Sequence, residues 1–258
     1  MNFINSFQSE WLKKKRSLAS WLVLVGAFFT PLIILLVRLK NYQALPKIYG
    51  GEDFWTKLWF TTWESMTILL LPMGIILATA LIVQLEYKNN AWKQLHTTPQ
   101  TFPTIFFAKL SVILVMMIEL FVLFNFGMYL SAIIPSLIIS SVPFPAAAIP
   151  FRQFLYGNIN FFIECLPILA LQYLISLHFK NFLVPVGVGF VLWALGIGMT
   201  SWEYSYMLPY NQGVMDFLRG SGNLKRELSV NLPLLAAVYF VIFTAASYVI
   251  YVTKKEKG

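Results

Sequence analysis

Six long apolar segments constrain this chain more than any other feature of its sequence. A helix crosses the hydrocarbon core of a bilayer when it has roughly 20 predominantly apolar residues. The segments are continuously apolar, whereas strands of a membrane β-barrel alternate apolar and polar residues. The sequence therefore predicts an all-α integral membrane protein with six transmembrane helices, at about 18–37, 65–85, 105–130, 159–177, 182–201 and 232–252.

The composition agrees with a membrane protein. Of the 258 residues, 58% are hydrophobic and 12% are charged, where a soluble domain has about 25% charged residues. The formal net charge is +8, and Lys and Arg commonly collect at the ends of membrane helices. We favour this explanation over nucleic-acid binding and expect no nucleic-acid partner.

Basic residues at both ends of the chain predict its orientation. Residues 13–16 are KKKR, immediately before the first apolar segment, and three lysines follow the last one. Lys and Arg are enriched on the cytoplasmic side of membrane proteins. Six crossings place both termini on one side, so the sequence predicts that the N and C termini are both cytoplasmic.

The first 16 residues predict a short amphipathic helix that lies on the membrane surface. Glu10 falls on its polar face, and its basic end lies near anionic headgroups. A disordered tail is the alternative. We therefore divide the chain into an interfacial helix, 1–16, and a transmembrane domain, 17–258. The apolar face of the helix carries Phe3, Ile4, Phe7, Trp11 and Leu12.

The segment 86–103, EYKNNAWKQLHTTPQTFP, is unusually polar for its position between the second and third apolar segments. Tyr87, Ala91 and Leu95 recur at a spacing of four, and Trp92 adjoins them, which predicts a short amphipathic helix. The prolines that follow end this helix. A helix this short is marginal alone in water, so we expect it to dock on the membrane, on the bundle or on another protein.

Taken in order, these features resemble the membrane subunit of type 2 ABC exporters, and most closely the permeases of lantibiotic immunity and bacitracin resistance. The resemblance covers essentially the whole chain, although each motif is loose. Its sequence basis is FINSFQSEWLKKKRSLASWL before the first span, QLEYKNNAWKQLHTTPQTFPTIFFAKL around the polar segment, and SWEYSYMLPYNQGVMDFL before the last span.

The resemblance implies a role for each segment. The N-terminal helix corresponds to the elbow helix of the family, and the segment before the last span corresponds to its short extracellular helices. Residues 86 to about 98 correspond to the coupling helix, which contacts a separate ATP-binding subunit. The residues that we expect to dock on this ATPase are Glu86, Tyr87, Ala91, Trp92, Leu95 and His96.

The resemblance also implies partners and a location. The sequence contains no G-x-x-x-x-G-K-[ST] phosphate loop, so the chain is expected to be no enzyme and to bind no cofactor, with ATP and Mg²⁺ on the partner ATPase. A second permease, identical or related, and membrane lipid complete the expected assembly in the bacterial cytoplasmic membrane. The implied function is export of a hydrophobic or amphipathic compound, with an antimicrobial peptide as the first guess.

Two carboxylates inside predicted spans are candidates for a substrate pathway or buried polar site. Glu119 is roughly 22 Å along the third span from the cytoplasmic side, and Glu164 is roughly 9 Å from the outer end of the fourth. These depths are similar in a core of about 30 Å, so the two are predicted to share one site. They would bind a cationic or amphipathic substrate, carry a proton, or fix helix packing through hydrogen bonds.

Alternative functions remain open at this point. A non-transporting sensor or assembly subunit would need no ATPase, and an intramembrane enzyme would have only Glu119 and Glu164 as a catalytic pair. We expect no metal site, because two histidines and one cysteine are a poor ligand set. Trp59 and Trp63 are predicted to join an interfacial aromatic belt. The glycines of GVGFVLWALGIG predict either a dimer face or close packing within the bundle.

Overall fold

The structure, a computed structural model, describes residues 3–15, 17–88, 101–224, 226–228 and 230–253, and all the regular secondary structure in these residues is helical. Side chains of 86–88 are outside this description. The α-helices in this part of the chain are α1 Phe3–Lys15, α2 Leu18–Lys40, α3 Leu45–Tyr49, α4 Phe54–Ser65, α5 Leu71–Lys88, α6 Phe102–Ile138, α7 Phe151–His178, α8 Leu183–Gly198, α9 Gln212–Gly220 and α10 Leu232–Thr253.

Five helical stretches in the described part of the chain are long and apolar enough to cross a membrane, and they identify a multi-pass membrane protein. They are α2, the stretch Phe54–Leu85, α6, α7 and α10. The predicted fifth span, 182–201, forms the shorter α8, whose 16 residues rise about 24 Å. A sixth crossing by α8, and with it the cytoplasmic position of both termini, stays a prediction.

The second spanning stretch begins at Phe54 and not at residue 65, where the sequence placed its start. A π-helical turn, Met66–Leu70, joins α4 to α5 without interrupting the stretch. Trp59 and Trp63 on α4 are both buried, and the Trp63 ring stacks on Phe161 with 4.6 Å between ring centroids. Their prediction as members of an interfacial belt is therefore wrong, because α7 covers this face of α4.

Small residues allow close contact between neighbouring helices. A Cβ atom on Gly127 of α6 would lie 3.0 Å from the Phe28 ring of α2. On α8, a Cβ on Gly189 would lie 2.7 Å from Gln172 Oε1, and a Cβ on Gly196 would lie 2.6 Å from Asn211 Oδ1. Two of the α8 glycines therefore serve packing within the bundle.

The chain reverses direction from one spanning helix to the next, so the bundle has two ends. One carries α1, the C-terminus of α5 and the start of α6, and we call it the α1 end. The other carries α3, the start of α7 and α9, and we call it the α9 end. The candidate functional residues divide between these two ends.

Candidate functional site

The predicted ATPase-docking segment falls largely outside the described residues. Helix α5 continues to Lys88 and α6 begins at Phe102, so this segment connects two long helices at the α1 end. Glu86 and Tyr87 lie in the last turn of α5, where the backbone alone is described. The other four predicted contacts lie outside the description, and they are Ala91, Trp92, Leu95 and His96.

The predicted elbow segment forms α1, and this helix packs on α6. Phe3 is exposed, whereas Phe7 and Trp11 are partly buried against the core and stack with ring centroids 5.9 Å apart. The buried side chains of α1 are instead Ser6, Glu10 and Lys14, which recur every four residues and form one stripe of the helix. The helix is therefore attached to the bundle through polar side chains.

Glu10 lies at the centre of this attachment. Its carboxylate accepts a hydrogen bond from Lys109 Nζ of α6 at 3.0 Å and another from Lys13. Both members of the first pair are buried, with exposed fractions of 6% for Glu10 and 2% for Lys109. Burial raises the pKa of Glu10. The charges and hydrogen bonds of Lys109 and Lys13 lower it by more than burial raises it, so the pKa lies below its ordinary value.

Glu10 therefore lies on a polar stripe of α1, as its position in the sequence pattern predicts, but this stripe packs against the bundle. The local pattern places Glu10 opposite the aromatic residues of the helix. Lys109 of α6 is a buried cation, and it needs an anionic partner inside the bundle. The polar stripe of α1 consequently turns toward the protein.

Glu119 also takes part in the contact between α1 and α6. Lys14 Nζ donates to its Oε2 atom at 2.5 Å, and the side chain of Glu119 keeps 34% of its surface exposed. Lys14 itself is buried and lies 4.1 Å from the centroid of the Trp11 ring. Glu119 is therefore an ion-paired residue that faces α1.

Glu164 of α7 has a different environment. It is 0% exposed, and neither carboxylate oxygen has a hydrogen-bond partner among the described residues. The charged side chains that act on it electrostatically are Asp216 and Arg219, both on α9. Glu164 therefore faces α9 while Glu119 faces α1. No hydrogen bond joins the two carboxylates in the described part of the chain, so the structure does not bring them together as a catalytic pair.

Three consecutive polar residues, Tyr210, Asn211 and Gln212, enter the bundle just before and at the start of α9. All are buried. The Tyr210 hydroxyl donates to Gln172 Oε1 at 3.3 Å, and Asn211 Nδ2 donates to the carbonyl of Gly196 at 2.7 Å. Burial raises the pKa of Tyr210, which keeps the phenol a neutral donor. The amide of Gln212 has no partner for its nitrogen or oxygen within the described residues.

In the sequence analysis, this segment was identified only through its resemblance to the short extracellular helices of the family. Its individual polar residues were missed, although the run YNQ inside an otherwise apolar stretch is a signal for them. Polar side chains inside a bundle must find partners or bind something. The run therefore belongs with Glu164 among the candidate functional residues of the α9 end.

A groove of about 690 Å³ opens between α6 and α7 at the α9 end. Its walls are mainly aromatic and aliphatic, including Phe121, Phe126 and Phe154. Its polar groups include Asn125 and Asn158, whose amides pair reciprocally at 2.7 and 3.2 Å. An apolar wall with a few fixed polar groups suits a hydrophobic or amphipathic molecule.

The fold and these residues define a helical, multi-pass membrane protein with buried charges at both ends. A family model described as ABC-2 family transporter protein matches residues 6–196, which is more than half of the 258 residues. The chain therefore belongs to the ABC-2 transporter family, as its sequence predicts. No curated protein and no solved structure matches the chain. The lantibiotic-immunity subtype stays a prediction.

Proposed function

We propose that this chain is the permease subunit of an ATP-driven exporter whose ATP-binding subunits are separate chains. The family match over residues 6–196 is the observation that carries this proposal. The absence of a phosphate loop from the 258-residue sequence supports a division of labour, in which a partner binds and hydrolyses ATP. The chain then provides the pathway across the membrane and carries out no catalysis itself.

The α1 end is the proposed attachment point of the ATPase. Residues 86–98 act as the coupling helix, and the segment that contains them leads directly into α6, which begins at Phe102. Movement of this segment would be transmitted to α6 along its axis. Helix α1 would move with α6, because Glu10 is hydrogen-bonded to Lys109 and Lys14 to Glu119. This end would face the cytoplasm.

The proposed substrate is a hydrophobic or amphipathic compound. The groove between α6 and α7, with its aromatic wall and paired Asn125 and Asn158, supports this class, because such a cavity suits a mostly apolar molecule. Outward transport, a second permease and the bacterial cytoplasmic membrane follow from the resemblance to type 2 exporters. These features complete the proposed assembly.

Co-purification tests the proposed partnership. The wild-type chain is extracted from its host in mild detergent, together with a double variant, Trp92→Asp with Leu95→Asp. We expect a protein with a phosphate-binding loop to accompany the wild type and to be lost from the variant, because two buried carboxylates would disrupt an apolar docking surface. Mass spectrometry identifies the accompanying proteins.

A matched control places the same charges at the other end of the bundle. Trp202 and Met207 are both exposed near the α9 end, and changing both to Asp is expected to leave the ATPase bound. Wild-type chain that carries no ATPase in several detergents would contradict the proposed function and favour a non-transporting membrane subunit.

A further inference from the structure

A second groove at the α9 end carries basic side chains that the proposed function does not use. It has a volume of about 680 Å³ and lies between the end of α2, helix α3 and the start of α4. We call it the α2–α4 groove. The groove between α6 and α7 is lined by other residues. The charged residues that line the α2–α4 groove are Arg38, Lys47, Asp53 and Lys57.

The charge balance of the α2–α4 groove is positive. Lys57 pairs with Asp53 at 2.6 Å, so these two side chains neutralise each other. Neither Arg38 nor Lys47 forms a salt bridge with an acidic side chain in the described ranges of the chain. The groove therefore has two cations, one on α2 and one on α3, that can attract an anion.

Arg38 is held in position by contacts that leave its charge in place. Its Nη1 atom donates to the carbonyl of Ser131 at 3.2 Å. The guanidinium also lies 5.6 Å from the centroid of the Tyr49 ring and 5.1 Å from that of Phe54. These contacts occupy only a part of its N–H donors. A guanidinium that is already oriented suits the oxygens of a phosphate group, which it can bind through two parallel hydrogen bonds.

The rest of the groove is mainly apolar and opens toward the bilayer. Its walls include Ile33 and Val37 of α2 and Ile48 of α3, which are exposed to 46%, 53% and 49%. Ile33 and Val37 are four residues apart, so they lie on one face of the spanning helix α2. Arg38 lies near the end of that helix at Lys40, where a span reaches the headgroup region. The groove thus offers a cation at headgroup depth beside an apolar face.

The sequence around the groove is more basic than its predicted location explains. The segment from Arg38 to Lys57 contains four basic and two acidic residues, and the predicted topology places it outside the cell. Lys and Arg are enriched in cytoplasmic loops, so the topology does not account for this positive charge. Binding of an anion does.

We propose that the α2–α4 groove binds an anionic phospholipid, with its phosphate on Arg38 and Lys47 and an acyl chain along Ile33 and Val37. A zwitterionic phospholipid has the same phosphate, but the two cations would repel its ammonium group. The bound phosphate would hold the end of α2 against α3. This inference goes beyond the proposed function, because the lipid binds outside the groove proposed for the transported compound.

Native mass spectrometry tests this site in the purified full-length chain in dodecyl maltoside, because it counts bound lipids one at a time. Two probes share their tails: dioctanoyl phosphatidylglycerol, which is anionic, and dioctanoyl phosphatidylcholine, which is zwitterionic. We expect the Kd of the first phosphatidylglycerol to be at least about tenfold lower, the usual value of one charge-assisted hydrogen bond. Glycerol 3-phosphate, which has no tails, is expected to bind far more weakly because it makes no apolar contacts.

Variants assign the preference to the groove. We expect Arg38→Gln to raise the Kd of phosphatidylglycerol about tenfold while the Kd of phosphatidylcholine stays the same. Lys47→Gln is expected to raise the first Kd about threefold, because this side chain is exposed. Arg152→Gln is the matched control, since it removes an exposed arginine at the start of α7 at the same end. It is expected to change neither Kd.

Equal binding of the two lipids by the wild type would overturn the proposal. Wild-type affinity for phosphatidylglycerol in a folded Arg38→Gln variant would do the same, and so would an equal loss in Arg152→Gln, which would indicate general surface charge. Glycerol 3-phosphate that binds as tightly as the lipid would indicate a phosphate site and overturn the lipid assignment. If Arg38→Gln does not fold, an unchanged Kd in Lys47→Gln overturns the proposal. The measurement needs no ATPase, so its failure leaves the co-purification result intact.

Discussion

The two ends of the bundle differ in whether their buried polar side chains have partners. At the α1 end, Glu10 is neutralised by two lysines and Glu119 is paired with Lys14 at 2.5 Å. At the α9 end, Glu164 and Gln212 are fully buried and have no hydrogen-bond partners among the described residues. Both ends lie in one continuous helical bundle, so the contrast is a property of specific side chains.

This contrast separates buried charged groups that join two helices from buried polar groups that do not. A buried ion pair holds two helices in one arrangement, and removing one member leaves the other charge uncompensated. An unpartnered buried group gives no such support. The α1 end therefore holds α1 on α6 through ion pairs, whereas Glu164 and Gln212 of the α9 end make no side-chain hydrogen bonds with the described residues.

The largest expected effect comes from Lys109→Met at the α1 end. This change removes one of the two lysines that neutralise Glu10, and we expect it to lower the free energy of unfolding by about 3–5 kcal/mol. Unfolding in a graded series of mixed SDS micelles, followed by tryptophan fluorescence, measures the change. Lys57→Met is the control, because its ion pair with Asp53 is exposed, and it is expected to change the free energy of unfolding far less than Lys109→Met does. Equal effects would contradict a structural role for the buried pair.

The second prediction concerns pH and Glu10. Lys109 and Lys13 hold the pKa of this carboxylate below its ordinary value of 4.5 despite burial. The lowered pKa stabilises the folded state above pH 4.5, and this contribution is lost as pH falls through the lowered pKa. We expect Glu10→Gln to be less stable than wild type by roughly 1.5–3 kcal/mol at pH 7.

The difference in stability between wild type and Glu10→Gln should shrink as the pH falls below 4.5. Melting curves at pH 7, 5, 4 and 3 measure it, with the exposed-site variant Glu203→Gln as a reference for general acid effects. A difference that stays constant over this range would show that Glu10 is not held as an ionised partner of the lysines.

A smaller effect is expected for Lys14 and Glu119. The carboxylate of this pair keeps 34% of its surface exposed, so the pair is less enclosed than Glu10 with Lys109. We expect a coupling energy of about 1 kcal/mol between Lys14→Met and Glu119→Gln in a double-mutant cycle. A coupling energy as large as that between Glu10 and Lys109 would mean that Glu119 is as enclosed as that pair. Its exposed fraction of 34% argues against this.

The smallest effect on stability is expected for Glu164→Gln. This carboxyl group has no partner to lose among the described residues, and a glutamine amide has nearly the same size and shape. We expect the free energy of unfolding to stay the same or to rise. A loss of more than about 1 kcal/mol would mean that Glu164 already makes a structural interaction, and the contrast between the ends would disappear.

The sequence predicts the helices well because long apolar runs have few alternatives to a spanning helix. It is less successful where charge interrupts an apolar pattern. The start of Phe54–Leu85 was missed because Lys57 and Glu64 lower the local hydropathy, although the tryptophans of α4 are buried. Burial of these aromatic side chains depends on contacts with α7, which the local sequence does not contain.

Side-chain orientation explains the remaining differences between the predicted and the observed candidate sites. The helical rise gives similar depths for Glu119 and Glu164, but the direction in which each side chain points depends on the rotation of its helix. Packing sets this rotation, and it turns Glu119 toward α1 and Glu164 toward α9. Lys109 and Glu10 are 99 residues apart in sequence, so their pairing is invisible to any local pattern.

The most direct test of this account compares the two ends by photo-crosslinking in native membranes. The aromatic photo-crosslinker p-benzoylphenylalanine replaces Trp92 in the proposed coupling helix or, in a matched protein, the exposed Trp202 near the α9 end. We predict that the probe at position 92 captures a protein with a phosphate-binding loop and that the probe at position 202 does not. Capture of an ATPase only at position 202, or at neither position, would contradict the account.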